Sequence, residues 1–460
     1  MKPRVQNELE DFLLRYPDTT MLEVLMVDMN GILRCKRIPR DEFEPLFRGE
    51  LRTCASTPLC NTLGTIIDDI GRGTADGDPD GPLSVVPGTL GPIPWLTSAT
   101  AQVLASFREE DGTPSTIDPR CILHSVLARF DSLGLKPMVA TELEFYLLEP
   151  GSGDKPTLRL GSVPGTGLRQ EGAQYAMPED LWDNDAFLED MRTTSVQQGI
   201  PMTTVLSEFS PGQFEINLHH VDDPVQACDH AVLLKRAVKG TARQHGMGAT
   251  FMAKPFADIA GSGLHIHISL YDGDGNNVFA DPGAAATPGL SDRLHNAVGG
   301  LAGTMGDCMA IFAPNANSYR RLIPGNFAPL NPDWGYNHRS VSLRIPVSSD
   351  DNRRIEHRAA GADANPYLVM AAVLAGIHQG LVQEIDPGRM VQECEQLEEK
   401  PATLPRHWPD ALDTFEASDF APGYLGADYC KLFAAIRRQE CEEYAATIPD
   451  LDYRWYLRSV

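Results

Sequence analysis

Residues 138–148 read Met-Val-Ala-Thr-Glu-Leu-Glu-Phe-Tyr-Leu-Leu, an apolar run holding Glu142 and Glu144 and closed by Pro150-Gly151. A run of this kind between turn signals predicts a buried strand. Side chains two apart on a strand share a face, so Glu142 and Glu144 point the same way, about 7 Å apart. Two ionised carboxylates at that distance repel by about 2 kcal/mol at an effective dielectric of about 20. Burial adds a desolvation cost unless a proton or cation is shared. The strand is therefore either a sheet edge with two solvated glutamates or part of a metal site. Glu-x-Glu alone leaves both open, and ligands elsewhere in the chain must decide.

The chain is long enough, at 460 residues, for two or more domains. An amphipathic helix pattern at 5–15 is followed by apolar runs on either side of Asn30-Gly31, a hairpin signal. The acidic, Gly-rich segment Asp68–Gly81 reads as a solvated loop. Strands are predicted at 84–86 and 101–107, then a linker at 109–114. Asp118-Pro119 opens a helix that runs to Leu133, with Asp as cap and Pro at the first turn. The domain boundary falls near 115, giving domains 1–115 and 116–460. Beyond the Glu142 strand, 150–172 reads as loop, and helices are predicted at 185–198, 223–245, 291–312, 365–384 and 427–446. Strands are predicted near 203–219, 248–254, 262–271, 340–346 and 353–359. Strands mixed irregularly with helices predict an α+β fold.

Three further segments carry chemistry. Glu208 and Glu215 flank Ser210-Pro211-Gly212, a turn that would return the two carboxylates to one end of a hairpin. Gly261-Ser262-Gly263 leads into a strict alternation that sets His265, His267 and Ser269 on one strand face. One buried histidine is commonly a core residue bonded to a carbonyl; two at strand spacing behind a glycine turn favour a site. Finally, seven arginines crowd between Arg320 and Arg358 in a chain with only 39 Lys+Arg. On a strand, Arg354, Glu356 and Arg358 would share a face, which by itself could be a surface ion-pair ladder. Guanidinium groups grip carboxylates and phosphates through two bonds at once. Oxygen-rich ligand sets suit Mg²⁺ or Mn²⁺, and arginines beside such metals suit phosphoryl transfer.

The net charge of −24 disfavours nucleic acid or an anionic membrane surface as partner. No apolar run approaches a membrane span, and the N-terminus lacks the apolar core of a signal peptide. The nine cysteines are scattered, odd in number and never in C-x-x-C. Reduced thiols and a cytoplasmic location are expected.

Jointly these motifs resemble the glutamine synthetase family of ATP-dependent ligases, over nearly the whole chain. The match lies in Glu142-x-Glu144, Glu208-x6-Glu215, Gly261-Ser-Gly-x-His265-x-His267-x-Ser269, Asn317-Ser-Tyr-Arg-Arg321-Leu-x-Pro324-Gly325, Arg339-x4-Arg344, Arg354-Ile-Glu356-x-Arg358 and Ala364-Asn-Pro-Tyr-Leu368. The resemblance implies a small β-grasp-like N-terminal domain and a large catalytic domain with a curved antiparallel sheet, or half-barrel, and helices. It implies two metal sites, Glu144 with Glu208 and Glu215, and Glu142 with His265 and Glu356. Glutamate would be held by Gly261, Arg321 and Arg358. The implied ATP site has His267 and Ser269 lining it, with Arg339, Arg344 and Arg354 on the phosphates. Arg339 and Glu356 would act in catalysis. The family also implies a homo-hexameric ring or a stacked double ring (dodecamer), with the N-terminal domain completing a neighbour's site.

Departures from the family pattern bear on the substrate. Ammonia-using members carry a glutamate just after the Pro-Gly that follows Arg321; here the stretch is Asn326-Phe327-Ala328-Pro329. Their N-terminal domain carries an aspartate in Asp-Gly-Ser-Ser, and residues 51–66 contain none. Ala260 stands where an asparagine is usual, and no adenylylatable tyrosine lies near 390–405. Val27-Asp28-Met29-Asn30-Gly31 and the runs 327–339 and 356–365 resemble the γ-glutamylpolyamine and γ-glutamylputrescine synthetase branch. The expected partners are L-glutamate, ATP and an organic amine, with Asn326 and Phe327 at the amine pocket. The competing readings are an ammonia-using glutamine synthetase, a metal-dependent hydrolase, and an inactive structural or regulatory homologue.

Overall fold

The computed structural model describes every residue except Met1, 152–154, 282, 284–288, 325–327 and 393–400. Helix α1 (Lys2–Arg15) precedes strands β1 (Met21–Val27), β2 (Leu33–Pro39), β3 (Arg52–Cys54), β4 (Asp80–Val85), β5 (Gly91–Pro92) and β6 (Thr100–Phe107). They form one sheet in the order β2-β1-β6-β4-β3, with β5 on β6. β1 and β2 are the predicted hairpin, but β1 runs parallel to β6, so this sheet is mixed. The Asn-Gly turn is wider than two residues: Asp28 N donates to Ile32 O at 3.0 Å. The acidic segment is not wholly loop. It makes two short 3₁₀ turns, Asp68–Ile70 and Gly73–Asp76, and enters β4 at Asp80.

Helix α2 (Pro119–Asp131) begins as predicted, the Asp118 side chain accepting from Arg120 N at 2.9 Å. There follow β7 (Lys136–Glu149), β8 (Thr157–Leu158), α3 (Asp185–Gln197), β9 (Met202–Ser207), β10 (Gln213–Leu218), α4 (Pro224–Gln244), β11 (Gly248–Thr250) and β12 (Leu264–Tyr271). Then come α5 (Asp292–Thr304), β13 (Trp334–Tyr336), β14 (Leu343–Ile345), β15 (Ile355–His357), α6 (Pro366–Gln383), α7 (Trp408–Ala417) and α8 (Ala427–Ala446). The second sheet runs β13-β14-β15-β12-β7-β10-β9, with β8 and β11 on β7. Its pairings are antiparallel except β13–β14, and it curls into a half-barrel backed by helices. The class is α+β, as expected.

Several elements differ from the sequence reading. The helix expected over 291–312 ends at Thr304 and continues as separate turns at 306–308 and 309–312. Glycines at 299, 300, 303 and 306 weaken it. Helix α7 was not predicted; Pro409 in its first turn starts the helix rather than breaking it. Helix α6 is long and apolar enough to cross a membrane, correcting the view that no run is. It lies in the core, with Pro366 to His378 all buried. Glycine lets α5 and α6 touch backbone to backbone: a Cβ on Gly300 would sit 2.1 Å from Gly376 O.

Strands β1 and β6 are buried on both faces, whereas β2 is largely exposed. Leu22, Val24 and Met26 belong to a cluster with α1, while Leu25 and Val27 join the large core beneath the second sheet. The tip of the hairpin is tied to the later chain. Asn365 Nδ2 donates to Asp28 O at 2.9 Å and Arg437 Nη1 to Asn30 Oδ1 at 2.6 Å.

Candidate active site

The alternation of β7 sorts its side chains. Val139, Thr141, Leu143 and Phe145 are buried in the core, while Ala140, Glu142 and Glu144 face the concave side. Cross-strand register then decides the neighbours. His265 on β12 stands opposite Glu142, Glu215 on β10 opposite Glu144, and Glu356 on β15 opposite His267. Arg344 on β14 is opposite Glu356.

His265 is the hub. Its Nδ1 lies 3.4 Å from Glu142 Oε2, and 3.9 Å from both Glu215 Oε2 and Glu356 Oε1. Its Nε2 is 3.9 Å from Glu144 Oε1. Glu142 also reaches the second histidine, its Oε1 2.9 Å from His267 Nε2. The carboxylates do not share one fate. Burial acts to raise the Glu142 pKa, but His267 and His265 outweigh it and hold it well below the usual range. Burial and the charges of Glu142, Glu144 and Glu208 push Glu215 up to about 9. Glu208 is pushed up to about 7 by burial and Glu144. Burial would raise Glu356 too, yet Arg358, His267 and His265 bring it down to about 2.

These groups line a cavity of about 560 Å³. Facing them are Arg321, Arg339, Arg344 and Arg358. Two arginines clamp Glu356, Arg344 Nη1 on Oε2 at 2.8 Å and Arg358 Nη1 on Oε1. Arg321 is fixed by carbonyls, donating to Ala359 O at 3.0 Å and Arg358 O at 3.2 Å. The glycine turn makes room for it, since a Cβ on Gly261 would lie 2.5 Å from Ala253 O and 2.7 Å from Arg321 Cγ. Gly263 N donates to Glu144 Oε2 at 2.6 Å, which orients that carboxylate.

A second cavity of about 330 Å³ lies beyond Glu142, which lines both. Its walls include His219, His220, His267, Ser269 and Arg354. Arg354 thus lines this cavity, while Arg339 and Arg344, with which the sequence grouped it, line the larger one. Arg354 lies just before the first residue of β15, donates from Nε to His267 Nδ1 at 3.2 Å, and stays within electrostatic reach of Glu356 and Arg344.

Glu142, His265 and Glu356 offer ligand atoms within 4.8 Å of one another, as do Glu144, Glu215 and His265. The sequence grouping put Glu208 in the second set. Glu208 lines the same cavity, but His265 takes its place in that close group. The donors fit hard divalent cations: carboxylates forced to hold protons at neutral pH are what a cation would relieve. Asn326 and Phe327 lie outside the described residues. Sequence reasoning missed Gln213, Tyr175, Leu206 and Phe209, which also line the larger cavity. Gln213 Nε2 donates to Gly261 O at 3.0 Å, and only its alternation with Glu215 on β10 could have flagged it.

Fold and site together define a glutamine synthetase-type ligase, and the chain belongs to the glutamine synthetase family. The family's catalytic domain ("Glutamine synthetase, catalytic domain") matches residues 116–456. The γ-glutamylputrescine synthetase PuuA of Escherichia coli (strain K12) is 39% identical over 456 residues, covering 98% of this chain and 95% of that protein. A glutamate–isopropylamine ligase of Pseudomonas sp is 33% identical over 390 residues, 83% of this chain and 82% of that one. Among solved structures, the GmaS/ADP complex is similar with a TM-score of 0.83 at 27% identity, over 98% of this chain and 99% of that chain.

Proposed function

We propose that this protein joins the γ-carboxyl of L-glutamate to an organic amine at the expense of ATP, through γ-glutamyl phosphate. The observation that carries the reading is Glu142 standing between two cavities, one walled by carboxylates and arginines, the other by His267, Ser269 and Arg354. Glutamate is assigned to the first, its carboxylates toward Arg321 and Arg358, and ATP to the second. Mg²⁺ or Mn²⁺ held by Glu142, Glu144, Glu208, Glu215, His265 and Glu356 would screen the phosphates and the γ-carboxylate from each other. Arg339 and Arg344 stabilise negative charge on the transferring phosphoryl group. A γ-carboxylate oxygen attacks the γ-phosphorus and ADP leaves. The amine nitrogen then attacks the acyl carbon, phosphate departs and the nitrogen gives up a proton. The Glu356 carboxylate, locked between Arg344 and Arg358, keeps both guanidinium groups aimed at the reacting centre.

The acceptor is an amine bulkier than ammonia. The absent carboxylates after Gly325 and in 51–66 leave no pair of acids to bind ammonium, and Tyr175, Leu206 and Phe209 offer apolar surface beside Glu208. Phe327 is assigned to the same pocket from sequence. Division into domains 1–115 and 116–460, assembly as a ring, and a cytoplasmic location belong to this reading. An ATP-hydrolysis assay with glutamate and a panel of amines tests it. Putrescine, longer polyamines or monoalkylamines should exceed ammonia in kcat/KM; ammonia outperforming all of them would overturn the acceptor assignment.

A further inference from the structure

Helix α4 carries Lys235, Lys239 and Arg243 at i, i+4 and i+8, one above another on a single face. They line a cavity of about 780 Å³ between α4, the segment around Trp95 and the stretch Thr250 to Met252, away from the carboxylate cluster. Arg236 and Arg437 also line it, yet each is committed: Arg236 to Glu23 and Gln102, Arg437 to Glu440. Among the described residues, Lys235, Lys239 and Arg243 form no ion pair, and Lys235 Nζ reaches only Ala362 O, at 2.8 Å. Asp363 is the one carboxylate among the described lining residues. Its Oδ2 already accepts from Asn315 and Ser318.

Three cations outside any ion pair among the described residues, lining a cavity with one carboxylate, stand out in a chain with a net charge of −24. Burial and the charge of Lys239 pull Lys235 down to about 8, with the charge of Asp363 opposing the shift. Aromatic walls add flat apolar surface. The Lys235 and Lys239 ammonium groups lie 5.5 and 5.9 Å from the Phe251 ring centre. The volume is within the range of small-molecule sites.

We infer that this cavity is a second anion-binding site, taking a small polyvalent anion with phosphate or carboxylate groups through Lys235, Lys239 and Arg243. Inorganic pyrophosphate and citrate are the probes, each titrated calorimetrically into the full chain in metal-free buffer. The proteins are the wild type, the double variant K239A/R243A, Lys235→Met, and Arg354→Ala as a control for the proposed nucleotide cavity. Lys239 and Arg243 are solvent-exposed, so the double variant should fold normally.

Wild type and Arg354→Ala should show a common site that K239A/R243A weakens by about tenfold or more, with Lys235→Met weakened as well. Which probe binds tighter tells phosphate from carboxylate chemistry. Unchanged binding in the double variant overturns the inference. So does binding that disappears with Arg354→Ala alone. A double variant that keeps its anion but changes its mass by light scattering would assign these cations to contact between copies and overturn it too.

Discussion

Glu142 and His265 stand opposite each other on neighbouring antiparallel strands, with Oε2 3.4 Å from Nδ1. Glu142 meets His267 through its other oxygen, so one carboxylate faces both cavities. Removing it should therefore disturb phosphoryl transfer more than glutamate binding. Glu142→Ala should lower kcat by about 100-fold or more while changing the glutamate KM only a few-fold. Steady-state kinetics with both substrates varied provide the measurement; equal losses would contradict the division.

Metal and protons should compete. Glu215, near 9, and Glu208, near 7, hold protons around neutrality that a cation must displace. Adding Mg²⁺ or Mn²⁺ at pH 7 in weak buffer should acidify the solution, and affinity should rise with pH. The sign of the stability effect follows from the same shifts. Carboxylates whose folded pKa is raised contribute stability that is fully present below the unfolded value and lost as pH rises through the folded one. The Tm of metal-free protein should fall from about pH 5 to pH 9, and added metal should restore it most at the alkaline end. A flat metal-free profile would remove the basis for this.

Glu356 is buried between two guanidinium groups. Glu356→Ala leaves Arg344 and Arg358 without their shared counter-charge, a change that costs about 3–5 kcal/mol in comparable buried pairs. Chemical denaturation should show that loss, together with lost ligase activity. Unaltered stability would mean the two arginines find other acceptors.

Gly261→Ala should act on glutamate. The added methyl would press on Ala253 O, a fixed backbone atom, and on the Arg321 stem. With Arg321 displaced, the glutamate KM should rise by about tenfold or more, while ADP affinity measured separately stays close to wild type.

Phe209 is half exposed at the cavity rim. Phe209→Ala should raise the KM for an aliphatic amine by roughly tenfold, from about 1.5 kcal/mol of lost apolar contact, and leave the glutamate KM alone. An unchanged amine KM would place the acceptor elsewhere in the cavity.

Local rules carried much of this architecture. Alternation in 138–148 and 264–270 set Glu142 and Glu144, and His265 and His267, on common faces, because side-chain direction on a strand has a period of two. Asp118-Pro119 and Asn365-Pro366 marked helix starts, because cap chemistry is local. Only tertiary structure could show that His265 touches four carboxylates, since strand register between β7, β10, β12 and β15 is fixed by partners far apart in sequence. The same holds for the arginines, since Arg354 lines one cavity and Arg344 and Arg358 line the other, a division that strand alternation does not contain. Lys235, Lys239 and Arg243 share a face of α4 by helical spacing alone. They became a cavity wall only when the small sheet and Trp95 closed over them, because a concavity belongs to the packing of elements and not to any one segment.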